Sequence, residues 1–385
     1  MKPGKASNKQ DAGRLRVLFA GHLPPPLGGV ATYCQSVLGS SLGQHIDLAF
    51  VQTSTHDRDL SQAGSASLAN LTAAFRDIVR FFKAVRAHRP QVCHLNTAYG
   101  SSFVKNSLCL AIARLHGSRA LLHTHCSLPA LYTSRPGWWR WFLRWVVRLS
   151  SGVIALSSEW QELAQIVPGR PVYLLENAID LAPYQAIAQE RRGRQAQEHP
   201  LHVLYLGYIW KAKGSFDLVE AARQVSLENK QVVFELVGSE LRPPELQQLA
   251  ALIQESGLEG VVSLHPPVYS EDKLACFRRA GLFVYPSYSE GMPMAVIEAM
   301  ASGLPVVASS AGGLPDLVQD GVTGLLVEPG KPEQLAAALG KLIHDPALRQ
   351  SMGENGACLA AQRFDIEQHA ARLVEIYDRS LLRSA

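Results

Sequence analysis

Two glutamates, Glu290 and Glu298, frame the most chemically loaded stretch of the sequence, PSYSEGMPMAVIEAMASGLPVVAS over residues 286–309. Glu290 and Gly291 end a loop that follows an apolar, strand-like run. Pro293 stands where the first turn of a helix is expected, a position suited to its fixed φ. A helix starting there, with Gly291, Met292 and Met294 at its entrance, turns free N–H groups and its positive dipole end toward the strand ends. That arrangement suits a diphosphate. Glu298 falls one turn beyond Met294 on the same face. Carboxylates repel phosphate but accept hydrogen bonds well, so sugar and ribose hydroxyls are their natural guests. An ordinary helix start with a surface glutamate accounts for the local residues as well.

Two further segments carry phosphate chemistry. In LGYIWKAKGSFDLVEA, residues 206–221, a strand ends at Gly207, Lys211 and Lys213 follow, and a helix starts near Gly214. A lysine there can neutralise phosphate in the same cleft, or it can be a solvated loop lysine. In PPPLGGVATYCQSV, residues 24–37, Gly28 and Gly29 lie between the first strand and the first helix, where glycine lets the backbone approach a ligand. The loop is neither GxGxxG nor a Walker A loop.

These segments need a frame, and the apolar pattern supplies it. Short apolar runs at 15–21, 46–52, 91–96, 119–124, 152–157 and 171–176 alternate with longer amphipathic ones. Such near-continuous apolar strands read as a parallel sheet covered on both faces. The polar stretch 182–200 reads as a connection. The pattern then restarts with strands at 201–207, 231–238, 261–265, 281–285, 305–309 and 324–328, and closes with a helical tail at 366–382. The expectation is α/β: two tandem doubly wound, Rossmann-like domains, 1–183 and 201–363, joined by a linker at 184–200. A helix within 364–385 is expected to pack back on the first domain. Ligands of such sheets bind at the carboxyl ends of the strands, so the cleft between domains is the default site.

With its Glu290…Glu298 element followed by AMASGLPVVASSAGGLPDLVQDGVTGLLVEPG, the sequence resembles glycosyltransferase family 4, the retaining nucleotide-sugar transferases of the GT-B fold. The likeness covers nearly the whole chain and is strongest in its second half. It implies that Glu290 contacts the donor sugar, Glu298 the nucleotide ribose and Lys213 the donor phosphates. By the same resemblance Gly28 and Gly29 lie near phosphates and acceptor, and the family histidine at a first-domain strand end matches His125 in LLHTHCS. Asn177 and Asp180 are similar to a variant of the family's Asn-Gly-Val-Asp segment. Tyr208 occupies the position of the family's usual arginine; a phenol donates one hydrogen bond but no bidentate charge, and Lys211 is the candidate replacement.

The implied reaction moves a sugar from a nucleoside-diphosphate donor to a hydroxyl of a carbohydrate or lipid-linked carbohydrate acceptor with retention, in polysaccharide or glycolipid biosynthesis. Lys213 and the amides at the helix start would stabilise the leaving diphosphate. No metal and no cofactor are expected, and no nucleic acid. A GT-B sugar-nucleotide 2-epimerase and a catalytically weak sugar-nucleotide-binding protein are the alternatives. A nicotinamide oxidoreductase is disfavoured by the missing GxGxxG and by a second strand that ends at Gln52 rather than at a ribose-binding acid.

Other constellations have bland readings. Asp57-Arg58-Asp59 matches a manganese Asp-x-Asp pattern but has no supporting ligands in its polar loop. His123 and His125 share a strand face with no further ligand at metal spacing. Cys126 points away from His125, against a thiol nucleophile. RPGWWRWFLRWVVRL, residues 135–149, sets Trp138, Trp141, Phe142 and Trp145 in one helical stripe and Arg140, Arg144 and Arg148 in another. That composition fits a helix in an anionic membrane interface, or one packing its aromatic face on the core.

Size and charge are consistent with this reading. The 385 residues are 47% hydrophobic and 18% charged, a folded-protein composition. Residues 1–200 hold 22 Lys/Arg against 11 Asp/Glu, and residues 201–385 hold 15 against 22. The basic half is the one expected to meet an anionic partner. Six scattered cysteines without a CxxC pair, and no apolar run near the ~18 residues of a bilayer span, place the expectation in the cytoplasm, peripheral to the membrane.

Overall fold

The computed structural model describes residues 13–24, 28–53, 68–98, 100–126, 132, 135–158, 167–192, 200–240 and 244–382. Asp57 and Asp59 lie outside them. The first unit holds β1 (Arg16–Gly21), α1 (Gly29–Gly39), α2 (Leu42–His45), β2 (Asp47–Gln52), α3 (Leu68–His88), β3 (Val92–Thr97), α4 (Ser101–Leu115), β4 (Arg119–Thr124), α5 (Gly137–Leu149), β5 (Gly152–Ala155) and β6 (Val172–Leu174). Its all-parallel sheet runs β2-β1-β3-β4-β5-β6.

After α6 (Ala182–Arg192), the second unit holds β7 (Leu201–Leu206), α7 (Ser215–Glu228), β8 (Val232–Val237), α8 (Glu245–Glu255), β9 (Val262–His265), α9 (Ser270–Arg279), β10 (Leu282–Tyr285) and α10 (Met294–Ala301). It continues with β11 (Val306–Ser309), α11 (Leu314–Leu317), β12 (Gly324–Val327), α12 (Pro332–His344), α13 (Pro346–Arg363) and α14 (Ile366–Leu382). Its parallel sheet runs β12-β11-β10-β7-β8-β9. Strands such as VCHLNT and LFVY are buried along their whole length, as helices on both faces require.

The polar stretch 182–200 is helical in its first part. Residues 182–192 form α6, because its polar residues alternate with a buried stripe of Tyr184, Ile187 and Ala188. Arg191 then ties α6 to the second unit, donating to the carbonyls of Ser302, Ala280 and Phe277 at 3.2, 2.7 and 2.8 Å.

Helix α14 crosses back to the first unit. Its apolar stripe of Ile366, Leu373, Ile376 and Tyr377 is buried, and it contacts α1 and α2. Tyr33 on α1 bonds His369 at 2.9 Å, and Tyr377 bonds His94 on β3 at 2.9 Å.

Candidate functional site

The site grows from the two places where strand order reverses. In the second sheet the chain leaves β7 toward β8 and β9, then returns to the other side of β7 with β10, so the switch point lies between β7 and β10. In doubly wound sheets ligands bind beyond the strand ends at such a point. The loop after β7 carries Tyr208, Lys211 and Lys213; the loop after β10 carries Glu290. The Lys213 ammonium and a Glu290 carboxylate oxygen form a close ion pair, with both side chains mostly buried.

Backbone geometry holds that pair. A single turn of 3-10 helix, Lys211–Lys213, ends at Gly214, whose φ of 72° is left-handed. A Cβ on Gly214 would lie 2.1 Å from the Pro286 carbonyl oxygen. The β7 loop thus rests directly on the β10 loop at a spot only glycine allows. Gly312, at φ 57°, abuts the Glu290 carbonyl in the same way, with a Cβ position 2.0 Å from that oxygen. We expect Gly214→Ala to cost about 2 kcal/mol through left-handed strain and the forced shift of residue 286. Urea unfolding measures it; an unchanged midpoint would show that the loops are not so tightly stacked.

Beneath the pair, Tyr205 and Tyr285 stack with ring centroids 5.8 Å apart. Burial first, then the Glu290 charge, pushes the Tyr285 phenol well above its ordinary range, so it stays protonated and donates toward Glu290.

Helix α10 begins at Met294, with Pro293 as its cap rather than inside its first turn as the sequence suggested. Segment 290–294 runs along the seam between the units. Asn177 donates from Nδ2 to the Met292 carbonyl at 2.8 Å. A Cβ on Gly291 would lie 3.2 Å from the His125 carbonyl oxygen, and one on Gly29 would lie 4.0 Å from Met294 Cγ. Gly28 faces Tyr208, whose hydroxyl is 3.5 Å from the corresponding Cβ position. Burial raises the Tyr208 phenol, which keeps its proton. The fold therefore gathers Gly28, Gly29, His125, Tyr208, Gly291, Met292 and Met294 along the seam, and brings Lys213 onto Glu290.

Two expected residues sit differently. The Lys211 ammonium lies 5.0 Å over the Phe216 ring, and its backbone N–H donates to Glu245 at 2.7 Å. Glu298 is not an open carboxylate: it is buried, and Lys273 on α9 donates to it at 2.7 Å. Tyr184 also reaches it, and burial together with the Glu298 charge raises that phenol.

His125 rests on partners that strand patterning missed. Asn96, at the end of β3, donates from Nδ2 to the Ala20 carbonyl at 3.0 Å, which leaves its Oδ1 as the acceptor facing His125 Nε2 at 2.9 Å. Nε2 therefore carries the proton, and Nδ1 is the acceptor. Polar residues at the carboxyl end of an otherwise apolar run, Asn96 and Thr97, were the available signal. Behind His125 its ring meets His123, 4.3 Å away, and His123 Nδ1 bonds His94 Nε2 at 3.1 Å. Among the described residues no group of three or more His, Cys, Asp or Glu is placed to hold a metal ion.

Comparison with known proteins follows the same division of the chain. A model described as glycosyl transferase 4-like domain matches residues 28–178, and one described as glycosyl transferases group 1 matches residues 187–358. The chain belongs to the family 4 type of GT-B glycosyltransferases. A D-inositol 3-phosphate glycosyltransferase of Streptomyces griseus is 44% identical over 145 residues, 37% of this chain and 30% of that protein. The chain spans between 30% and 56% of the length of the first curated relatives it matches. Sucrose-phosphate synthase from Thermosynechococcus elongatus shares the fold at TM-score 0.76 and 22% identity, over 96% of this chain and 100% of that one. Anabaena HepE in complex with UDP and glucose does so at TM-score 0.72 and 21% identity, over 95% and 100%.

Proposed function

We propose that the protein is a retaining, metal-independent glycosyltransferase that moves a sugar from a nucleoside-diphosphate donor to an acceptor hydroxyl, in polysaccharide or glycolipid synthesis. The observation that carries this reading is the Lys213–Glu290 pair at the β7/β10 switch point, with Gly28 and His125 across the seam. Uridine diphosphate is the nucleotide to test first, since the structural neighbour HepE is described with UDP and glucose.

In the proposed reaction the bond from the anomeric carbon to the diphosphate oxygen breaks early, and the acceptor oxygen bonds the same face of that carbon. The acceptor proton passes to the departing phosphate oxygen. Lys213 and the N–H groups entering α10 offset the developing negative charge. Glu290 orients the sugar, Glu298 the ribose, with Lys273 fixing the Glu298 carboxylate. Tyr208 donates one hydrogen bond to the diphosphate, and His125 contacts the sugar or acceptor side. The partner surface includes an anionic membrane met through residues 135–149, whose helix exposes Trp138, Trp141 and Trp145. No helix among the described residues is long and apolar enough to cross a membrane.

UDP in excess is expected to raise the melting temperature by several degrees, because it binds only the folded crevice. Excess EDTA leaves the shift and the turnover of donor unchanged. If UDP, GDP and ADP all fail to shift the midpoint, the site is not a nucleotide site; a loss in EDTA restored by manganese would overturn metal independence.

A further inference from the structure

Helices α3, α4 and α5 share one side of the first sheet for a topological reason. Each joins strands stepping the same way across the sheet, β2 past β1 to β3, β3 to β4 and β4 to β5, and right-handed crossovers then place all three on one face. Their inner sides form a core of their own with the sheet, including Phe81, Phe103, Leu110, Leu143 and Val146. Helix α1 steps the other way and lies on the opposite face, where it contacts α10 of the second unit.

The outer sides of these three helices are unusually apolar. Leu71, Phe75 and Phe82 lie on one stripe of α3, and Val104, Leu108 and Leu115 repeat the same spacing on α4. Trp138, Trp141 and Trp145 line α5, while Trp139 and Phe142 turn inward onto Phe103 of α4. Nine of the fifteen exposed large hydrophobics among the described residues therefore sit on one helical layer. A scattered distribution would be ordinary; a concentration on adjacent stripes marks an interaction surface.

Charge decides the partner. The three helices carry nine Lys and Arg and one carboxylate, Asp77, which is fully buried and paired with Lys105. Arg76, Arg80, Lys83 and Arg86 stand exposed along α3, and Arg140, Arg144 and Arg148 along α5. Arg140 and Arg144 lie 5.6 and 5.3 Å over the Tyr132 ring, which holds their guanidiniums beside the Trp stripe. A second copy of the chain meeting this face through a twofold axis would set like charges together. An anionic bilayer satisfies both features, taking Trp at headgroup level and Arg against lipid phosphate.

We infer that the whole α3–α4–α5 face, and not α5 alone, lies on an anionic membrane surface. This rests on the reading of residues 135–149 as membrane-facing and extends it to two helices that no motif singled out. The experiment is vesicle co-sedimentation of the full chain, with phosphatidylcholine alone and with about a third phosphatidylglycerol. Four of the six tryptophans lie in α5, so emission should shift to the blue on binding. We expect binding to the anionic vesicles only, weakened by salt. Phe75→Ser/Leu108→Ser and Trp138→Ser/Trp141→Ser should each lower the bound fraction at least roughly fivefold while keeping the UDP-induced thermal shift, since all four side chains are exposed. Loss from the Trp pair alone would overturn the three-helix surface and leave the α5 reading standing. Equal binding by both variants, or equal binding to neutral vesicles, would overturn both. A dimer by light scattering that either variant dissociates would assign the face to a second copy instead.

Discussion

Glu290→Gln is expected to lower turnover by roughly 10²–10³-fold while leaving UDP affinity intact. The amide keeps the shape of the carboxylate and removes its charge. On the proposed reading the nucleotide contacts then survive, because they would come from backbone amides and from Lys213, which loses the anion it pairs with. What fails is orientation of the sugar and the polar frame around the breaking bond, and both are needed only as charge develops. Lys213→Met should behave in the opposite sense, weakening UDP binding and lowering turnover together. Isothermal titration with UDP and initial rates on the two variants separate the roles. Normal turnover in Glu290→Gln would move the reacting centre elsewhere, whatever the nucleotide result.

Acid should destabilise the protein well above the range where carboxylates titrate. Four imidazoles are packed between β3, β4 and α14: His94, His123, His125 and His369. Burial first, then the neighbouring imidazole His369, drives His94 down to about 3. Burial drives His369 down to about 4, partly opposed by its bond to the Glu176 carbonyl. Burial first, then neighbouring imidazoles, lowers His123 (beside His125, His94 and His369) and His125 (beside His94, His22 and His369) well below the ordinary range. The groups facing this cluster are Tyr33, Tyr377, Cys34, His22 and Arg372, none of which adds a negative charge at these pH values. His123 Nε2 has no hydrogen-bond partner, so the cluster has no acceptor waiting for a proton there.

The unfolded chain takes up these protons near pH 6.5 and the folded chain does not, so stability is full above pH 6.5 and falls as pH drops toward 4 and 3. Between pH 7.5 and 5 His94 and His369 should each remove about 2 kcal/mol. Urea midpoints at the two pH values measure the loss, and His369→Gln should reduce it by about one imidazole's share. Equal stability at both would mean that the cluster holds protons when folded.

Some of this was legible along the chain because it is local. Strand–helix alternation needs only apolar period, and the runs predicted at 119–124, 305–309 and 366–382 match β4, β11 and α14 to within a residue at either end. The switch-point glutamate and lysine were legible because a strand, a polar loop and a helix start are contiguous in sequence. Helix α6 was obscured by its charged outer face, since its buried Tyr184 and Ala188 pack against Phe277 and Gly303 of the second unit, far along the chain.

The sequence by itself determined two parallel-sheet domains, a phosphate-suited helix start and a lysine and glutamate poised at neighbouring strand ends. Only the tertiary structure decided that Lys273 claims Glu298, that Asn96 sets the His125 tautomer, and that α3, α4 and α5 form one basic, apolar layer. The first two join residues 25 and 29 positions apart and the third joins three separate helices, and they follow from strand order and crossover hand, which no local pattern of residues encodes.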